Sequence, residues 1–113
     1  MKTVIMDVAD AETVFNRARE AFKGKRQGSR ISFASVELMF RVLTERRWEL
    51  LKAMTGQGPM SIRGAARRIN RDVKAVHADV QALLSAGVLH KTDDGRIEFP
   101  FDAIHVDFML HAA

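Results

Sequence analysis

The sequence predicts an α+β fold, and three observations carry that prediction. Residues 61–101 run in a fixed order: a serine ahead of a short helical period, an asparagine, an aspartate ahead of a longer period, a glycine stop, then two β-rich runs around Thr-Asp-Asp-Gly. Alternating, β-branched segments stand near both ends, at 3–8 and 102–110. With 113 residues and 47% of them hydrophobic, the chain has enough apolar surface for one folded unit and too much for a disordered one. Short helix, turn, longer helix and hairpin, in that order, make a winged helix-turn-helix. The expected organisation is a strand–helix extension at 1–34, a winged helix-turn-helix at 35–101 and a C-terminal strand segment at 102–113.

Taken in order, Thr3 to Val8 alternates weakly and reads as a strand. Asp10 can cap a helix to about Lys23, with Ala11, Val14, Phe15, Ala18 and Phe22 at helical spacing as its expected core stripe. Lys23-Gly24-Lys25-Arg26-Gln27-Gly28-Ser29 is a polar, glycine-punctuated loop, read as exposed rather than as an arm touching DNA. A short strand follows at 30–33. Ser35 and Thr44 each open a helix, to about Val42 and Met54; in the second, Trp48, Leu51 and either Leu50 or Met54 supply the core stripe.

Gly56, Gly58 and Pro59 end that helix. Ser61 caps the next, which buries Ile62, Ala65, Ala66 and Ile69; small residues at 64–66 allow a crossing helix to approach. Asn70, a residue that tolerates a left-handed backbone, makes the turn. Asp72 caps a helix to about Ala86 with Val73, Val76, Val80, Leu83 and Leu84 on its apolar face. After Gly87, strands at 88–91 and 96–101 flank the hairpin turn. The final segment places Ile104, Val106, Phe108 and Leu110 on one side, opposite His105, Asp107 and Met109.

Charge is distributed unevenly. The net charge is only +4, yet Arg41, Arg46, Arg47, Lys52, Arg63, Arg67, Arg68, Arg71 and Lys74 meet only Glu45, Glu49 and Asp72 across the middle of the chain. From Asp93 onward Asp93, Asp94, Glu98, Asp102 and Asp107 meet only Arg96. A basic centre with an acidic end predicts a polyanion-binding face, and double-stranded DNA is the expected partner. The outward positions of the second helix of the pair, Lys74, Ala75, His77, Ala78 and Gln81, would face base edges in the major groove. Arg63, Arg67 and Arg68 on the preceding helix and Arg71 in the turn would clamp phosphates, and Lys91 and Arg96 would extend from the hairpin. So few base-reading groups predict modest sequence specificity, with much of the affinity coming from the backbone.

The run RINRDVKAVHADVQALLSAGVL resembles the recognition-helix stretch of MarR- and ArsR-like winged-helix regulators. With SFASVELMFRVLTERRWELLKAM, GPMSIRGAARRINRDVKAVHADVQAL and FPFDAIHVDFML, the chain is similar to small prokaryotic DNA-binding proteins described as antitoxin-like transcriptional regulators. That resemblance implies a dimeric repressor of its own operon, an antitoxin beside a toxin protein, with Arg71, Lys74, His77 and Gln81 as DNA contacts.

Other classes find less support. The absence of cysteine removes disulfides, thiolate metal sites and cysteine nucleophiles, and fits a reducing cytoplasm. No apolar run reaches the roughly 18 residues of a membrane span, and Asp7 and Asp10 interrupt the N-terminus too early for a signal peptide. The four histidines have no metalloprotease spacing, and His105 with Asp107 reads as a solvated pair rather than a metal site. No enzyme, metal or cofactor is expected. A homodimer is, because paired half-sites multiply affinity; the terminal strands would either pair across two subunits or with each other inside one chain. The competing class is a winged-helix module whose basic face docks an acidic protein without reading DNA.

Overall fold

The computed structural model describes residues 1–24 and 28–112; Lys25, Arg26 and Gln27 of the predicted loop, and Ala113, lie outside the described residues. The architecture is α+β. Strand β1 (Thr3–Val8), helix α1 (Ala11–Phe22) and strand β2 (Arg30–Phe33) come first, followed by helices α2 (Val36–Val42), α3 (Glu45–Met54), α4 (Ile62–Arg68) and α5 (Val73–Ser85). A ribbon of β3 (His90–Lys91) and β4 (Ile97–Glu98) and the strand β5 (Ala103–Asp107) complete the chain.

Each helix opens on the cap that its sequence offers. The side chains of Asp10, Ser35, Thr44, Ser61 and Asp72 accept hydrogen bonds from backbone N–H groups of the first turns of α1 to α5. Every such bond satisfies a donor that the helix itself cannot, and is worth about 1 kcal/mol.

The sheet has the order β2-β1-β5, and both of its pairings are parallel. The terminal strands therefore pair with each other inside one chain, from Thr3↔Ala103 to Asp7↔Asp107. The Lys2 carbonyl accepts from the Asp102 N–H at 2.7 Å, and the Asp102 carboxylate accepts from the Lys2 N–H at 2.8 Å, fixing that register at its start. Val4 and Met6 are buried in a core shared with Phe33, Met39, Leu50, Leu51, Met54, Val76, Val80 and Leu83. In α3, Leu50 and Met54 are both buried beside Leu51, whereas Trp48 is only half-buried at the core's edge.

On the opposite face of β1 sits Asp7, a carboxylate only 5% exposed. Arg30 Nη1 donates to it at 2.6 Å, Arg17 Nη1 of α1 lies 3.1 Å away, and the Ser32 hydroxyl donates to its other oxygen. Burial pushes the Asp7 carboxyl up, but the Ser32 hydroxyl and the two guanidinium groups outweigh burial and hold it below the usual carboxylate range.

That polar anchor reverses the expected orientation of α1. Its half-buried positions are Thr13, Arg17 and Glu20, whereas Ala11, Val14, Phe15, Ala18 and Phe22, the expected core stripe, are all exposed. No residue of α1 is buried. Periodicity showed a stripe but not which way it faces, and the ion pairs to Asp7 turn it outward. The alternating side of the C-terminal segment also differs from expectation: Ile104 is half-buried, but Val106, Phe108 and Leu110 remain exposed; β5 is a sheet edge that ends at Asp107, and the Phe108 ring meets the likewise exposed ring of Phe40 in α2 edge-on at 5.9 Å.

Because the folded-state pKa of Asp7 is depressed, its contribution to stability is complete above the unfolded carboxylate value near ~4 and is lost as pH falls through the folded value. Asp7→Asn should cost about 1–3 kcal/mol at neutral pH, reduced from the fully buried case because both arginines are about a third exposed. Urea titrations should show that deficit constant from about pH 5 to 8 and shrinking below about pH 4; a deficit that persists in acid would mean the carboxylate's charge is not what matters.

Candidate nucleic-acid interface

The geometry of the α4–α5 pair begins with the four residues between them. Asn70 adopts φ 54°, and the N–H groups of Asn70 and Arg71 donate to the carbonyls of Arg67 and Ala66 at 3.2 and 3.0 Å. This is a Schellman closure with asparagine in the left-handed position, and it turns the chain directly into the Asp72 cap. Ala65 and Ala66 are buried and give α5 its close approach. Gly64 differs from the expectation of a shared small-residue contact, because a Cβ there would meet Ser61 Oγ at 3.1 Å. Its small size therefore serves its own helix cap.

Helix α5 buries Val76, Val80 and Leu83. Val73, expected with them, is 39% exposed. Gly87, at φ 77°, ends the helix in a second Schellman closure, with Val88 N–H donating to the Leu83 carbonyl at 2.9 Å.

A carboxylate in the middle of α5 sets the helix against the rest of the molecule. Asp79 Oδ1 accepts from Arg47 Nε of α3 at 3.2 Å, and Asp79 Oδ2 accepts from Arg71 Nη2 at 3.0 Å. Arg47 Nη1 also donates to the Val42 carbonyl at 2.9 Å, at the C-terminus of α2, where the last carbonyls lack helical partners. The Asp79, Arg71 and Arg47 side chains are only 14, 16 and 22% exposed. One acidic side chain thus joins three helices and the turn before α5.

This network corrects one expected contact. Arg71 does not stand free in the turn to hold a phosphate; its guanidinium is folded inward onto Asp79. Arg47, counted with the basic centre, is likewise taken up internally. Spacing alone gave no sign that Asp79 would draw in two arginines, because one comes from α3 and the other from the turn ahead of α5.

The remaining expected residues are solvent-facing. Arg63, Arg67 and Arg68 of α4, and Lys74, His77, Ala78 and Gln81 of α5, are exposed, with Ala75 half-buried between them. Arg68 Nη1 donates to Gln57 Oε1 at 2.9 Å, whereas Arg63, Arg67 and Lys74 make no ion pair with another described residue. Lys74, His77, Ala78 and Gln81 occupy i, i+3, i+4 and i+7, one row along a helix.

The ribbon is shorter than expected, with two residues in each strand, because Val88, Leu89 and Phe99 turn into the core. Met60, just before α4, exchanges both backbone hydrogen bonds with Ile97 at 2.9 Å, tying the ribbon to the base of the helix pair. At the tip, Gly95 takes φ 84°, and Thr92 and Arg96 close the turn through the Asp94 carboxylate, which is held below its usual range chiefly by the Thr92 hydroxyl. Arg96 Nε donates to Asp94 at 2.8 Å, so of the two expected ribbon cations only Lys91 keeps an uncommitted charge.

Among the described residues no group of three or more histidine or acidic side chains converges as a metal site would require, and no helix is long and apolar enough to cross a membrane. A sequence model of the HVO_A0114 family matches residues 42–106, from the end of α2 through nearly all of β5. A search of curated proteins found no match to the chain.

Two substitutions test the geometry of the pair. Asn70→Ala should destabilise by about 1 kcal/mol while Asn70→Gly should not, since only the former strains a left-handed residue. Asp79→Asn should cost about 2–4 kcal/mol by leaving two mostly buried guanidinium groups unpaired. Chemical denaturation measures both, and an Asp79→Asn protein as stable as wild type would remove the network from this role.

Proposed function

The chain belongs to the HVO_A0114 family, and we propose that it is a sequence-specific, double-stranded DNA-binding transcriptional regulator that works as a homodimer. The observation that carries this reading is the uncommitted outer row of α5, Lys74, His77, Ala78 and Gln81, next in sequence to the exposed arginines of α4. Short alanines between a cation and two hydrogen-bonding side chains let the helix backbone approach base edges. The element order, with a helix pair, a four-residue turn and a ribbon bridged to the segment before it, supports a winged helix-turn-helix. The resemblance to antitoxin-like regulators supports repression of its own operon, with a toxin protein as the second partner.

In this reading Lys74, His77 and Gln81 face bases, Ala78 permits contact with a thymine methyl, and Arg63, Arg67 and Arg68 hold phosphates. Arg71 and Arg47 position α5 through Asp79. Lys91 is the ribbon's contribution, while Asp93 and Asp94 limit how closely that tip approaches a backbone. DNA affinity should therefore reside mainly in the helix pair.

The test is selection of bound fragments from sheared genomic DNA at two salt concentrations, followed by titration of variants on a recovered duplex. One or a few recovered sites, retained at the higher salt, are expected. Lys74→Ala and His77→Ala should then change sequence preference, whereas Arg67→Ala should weaken all duplexes alike and lower the salt slope by about 1. Uniform recovery abolished by salt, with equal losses from all three variants, would favour the protein-docking module instead.

A further inference from the structure

Helix α1 is mounted the opposite way round from an ordinary surface helix. It meets the sheet through Arg17, with Thr13 and Glu20 half-buried on the same side, and presents Ala11, Val14, Phe15, Ala18 and Phe22 to solvent. Phe15 is 63% and Phe22 96% exposed. Shallow grooves of about 400 and 470 Å³ run along this stripe, the first lined by Phe15, Ala18, Arg19, Phe22 and Lys23, the second continuing past Val14 to Ala9 and Ala34. A contiguous apolar patch of this kind on a small chain marks an interaction surface.

We propose that α1 is the homodimer interface and that its occupant is α1 of a second copy, packed antiparallel across a two-fold axis. This rests on the homodimer of the proposed function and supplies its surface. Two features of the helix are self-complementary under that operation. Large and small side chains interchange: with Phe15 of one copy over Ala18 of the other, Phe22 falls over Ala11, so each ring meets a methyl group and the helices approach closely. Charge interchanges as well. At 100° per residue Glu12, Arg19 and Lys23 lie along the same flank of the stripe, acidic at its N-terminal end and basic at its C-terminal end. The two-fold axis brings that flank against itself reversed, setting each Glu12 between Arg19 and Lys23 of the other copy.

Glu12 has no reachable cation at i+3 or i+4 on its own helix, where Phe15 and Asn16 stand. Arg19 lies over the Phe15 ring at 5.3 Å, already gathered at the edge of the stripe. The α1 side of the sheet is polar, with Asp7, Arg30 and Ser32 engaged with one another. Burying the outer stripe therefore disturbs nothing that holds α1 in place.

Sedimentation velocity on the full chain without DNA, at tens of micromolar, tests the proposal. Wild type should sediment as a dimer, and Ala18→Arg should halve the apparent mass while retaining the far-ultraviolet dichroism and cooperative unfolding of a folded chain. Glu12→Arg should weaken the dimer, and adding Arg19→Glu with Lys23→Glu should restore it. A monomeric wild type, or a dimer unaffected by Ala18→Arg, overturns the interface. A selected duplex titrated in parallel separates this from the DNA reading. Specific DNA binding by a chain whose dimer ignores Ala18→Arg overturns the interface alone, whereas an α1-dependent dimer that binds no duplex supports the interface and overturns the reader.

Discussion

The orientation of α5 depends on the carboxylate of Asp79. Val76, Val80 and Leu83 give the helix an inner face, but apolar contact is non-directional and tolerates rotation and sliding. The paired oxygens of Asp79 do not, because each is taken by a different arginine from a different element. Arg47 extends the restraint to the end of α2 through the Val42 carbonyl, and Arg71 extends it into the turn that Asn70 shapes. The outer row of α5 is thus held at a fixed angle by mostly buried charges beneath it. Replacing a network of this kind by apolar residues can keep stability, but it would give up the directional constraint.

A second carboxylate does the same for the other end of the molecule. Asp7 holds Arg17 of α1 and Arg30 of β2 and makes the polar side of α1 its inner side. The two networks share a logic: a mostly buried acid gathers two arginines from separate segments and fixes how those segments meet. Four of the arginines, Arg17, Arg30, Arg47 and Arg71, are therefore structural, while Arg63, Arg67, Arg68, Lys74 and Lys91 of the candidate interface are exposed, as are Arg41, Arg46 and Lys52 of the basic centre.

Local chemistry was legible in the sequence wherever one side chain decides the outcome. The five caps, the left-handed asparagine, the glycine stop at Gly87 and the Asp-Gly turn depend on neighbours within four residues. Direction and partnership were not legible. The period of α1 is the same whether Phe15 faces in or out, and only the distant Asp7 decides. Parallel pairing of β1 with β5 joins residues about a hundred positions apart, so neither the register nor the choice between one chain and two was visible. Arg71 shows the same limit at the candidate interface: its position in the turn marked it as a contact, and Asp79, one helix face away, claimed it. The exposure of Lys74, His77, Ala78 and Gln81 was readable, because they lie on a helix whose other face was plainly apolar.

The face proposed to meet DNA is the one held by Asp79. Backbone amide shift mapping of labelled protein titrated with a selected duplex tests this most directly. Shifts should concentrate along the outer row of α5 and the exposed residues of α4, with smaller ones at Lys91 and little change in α1 or the sheet. Shifts centred on α1 with the α5 row unmoved would contradict the proposal.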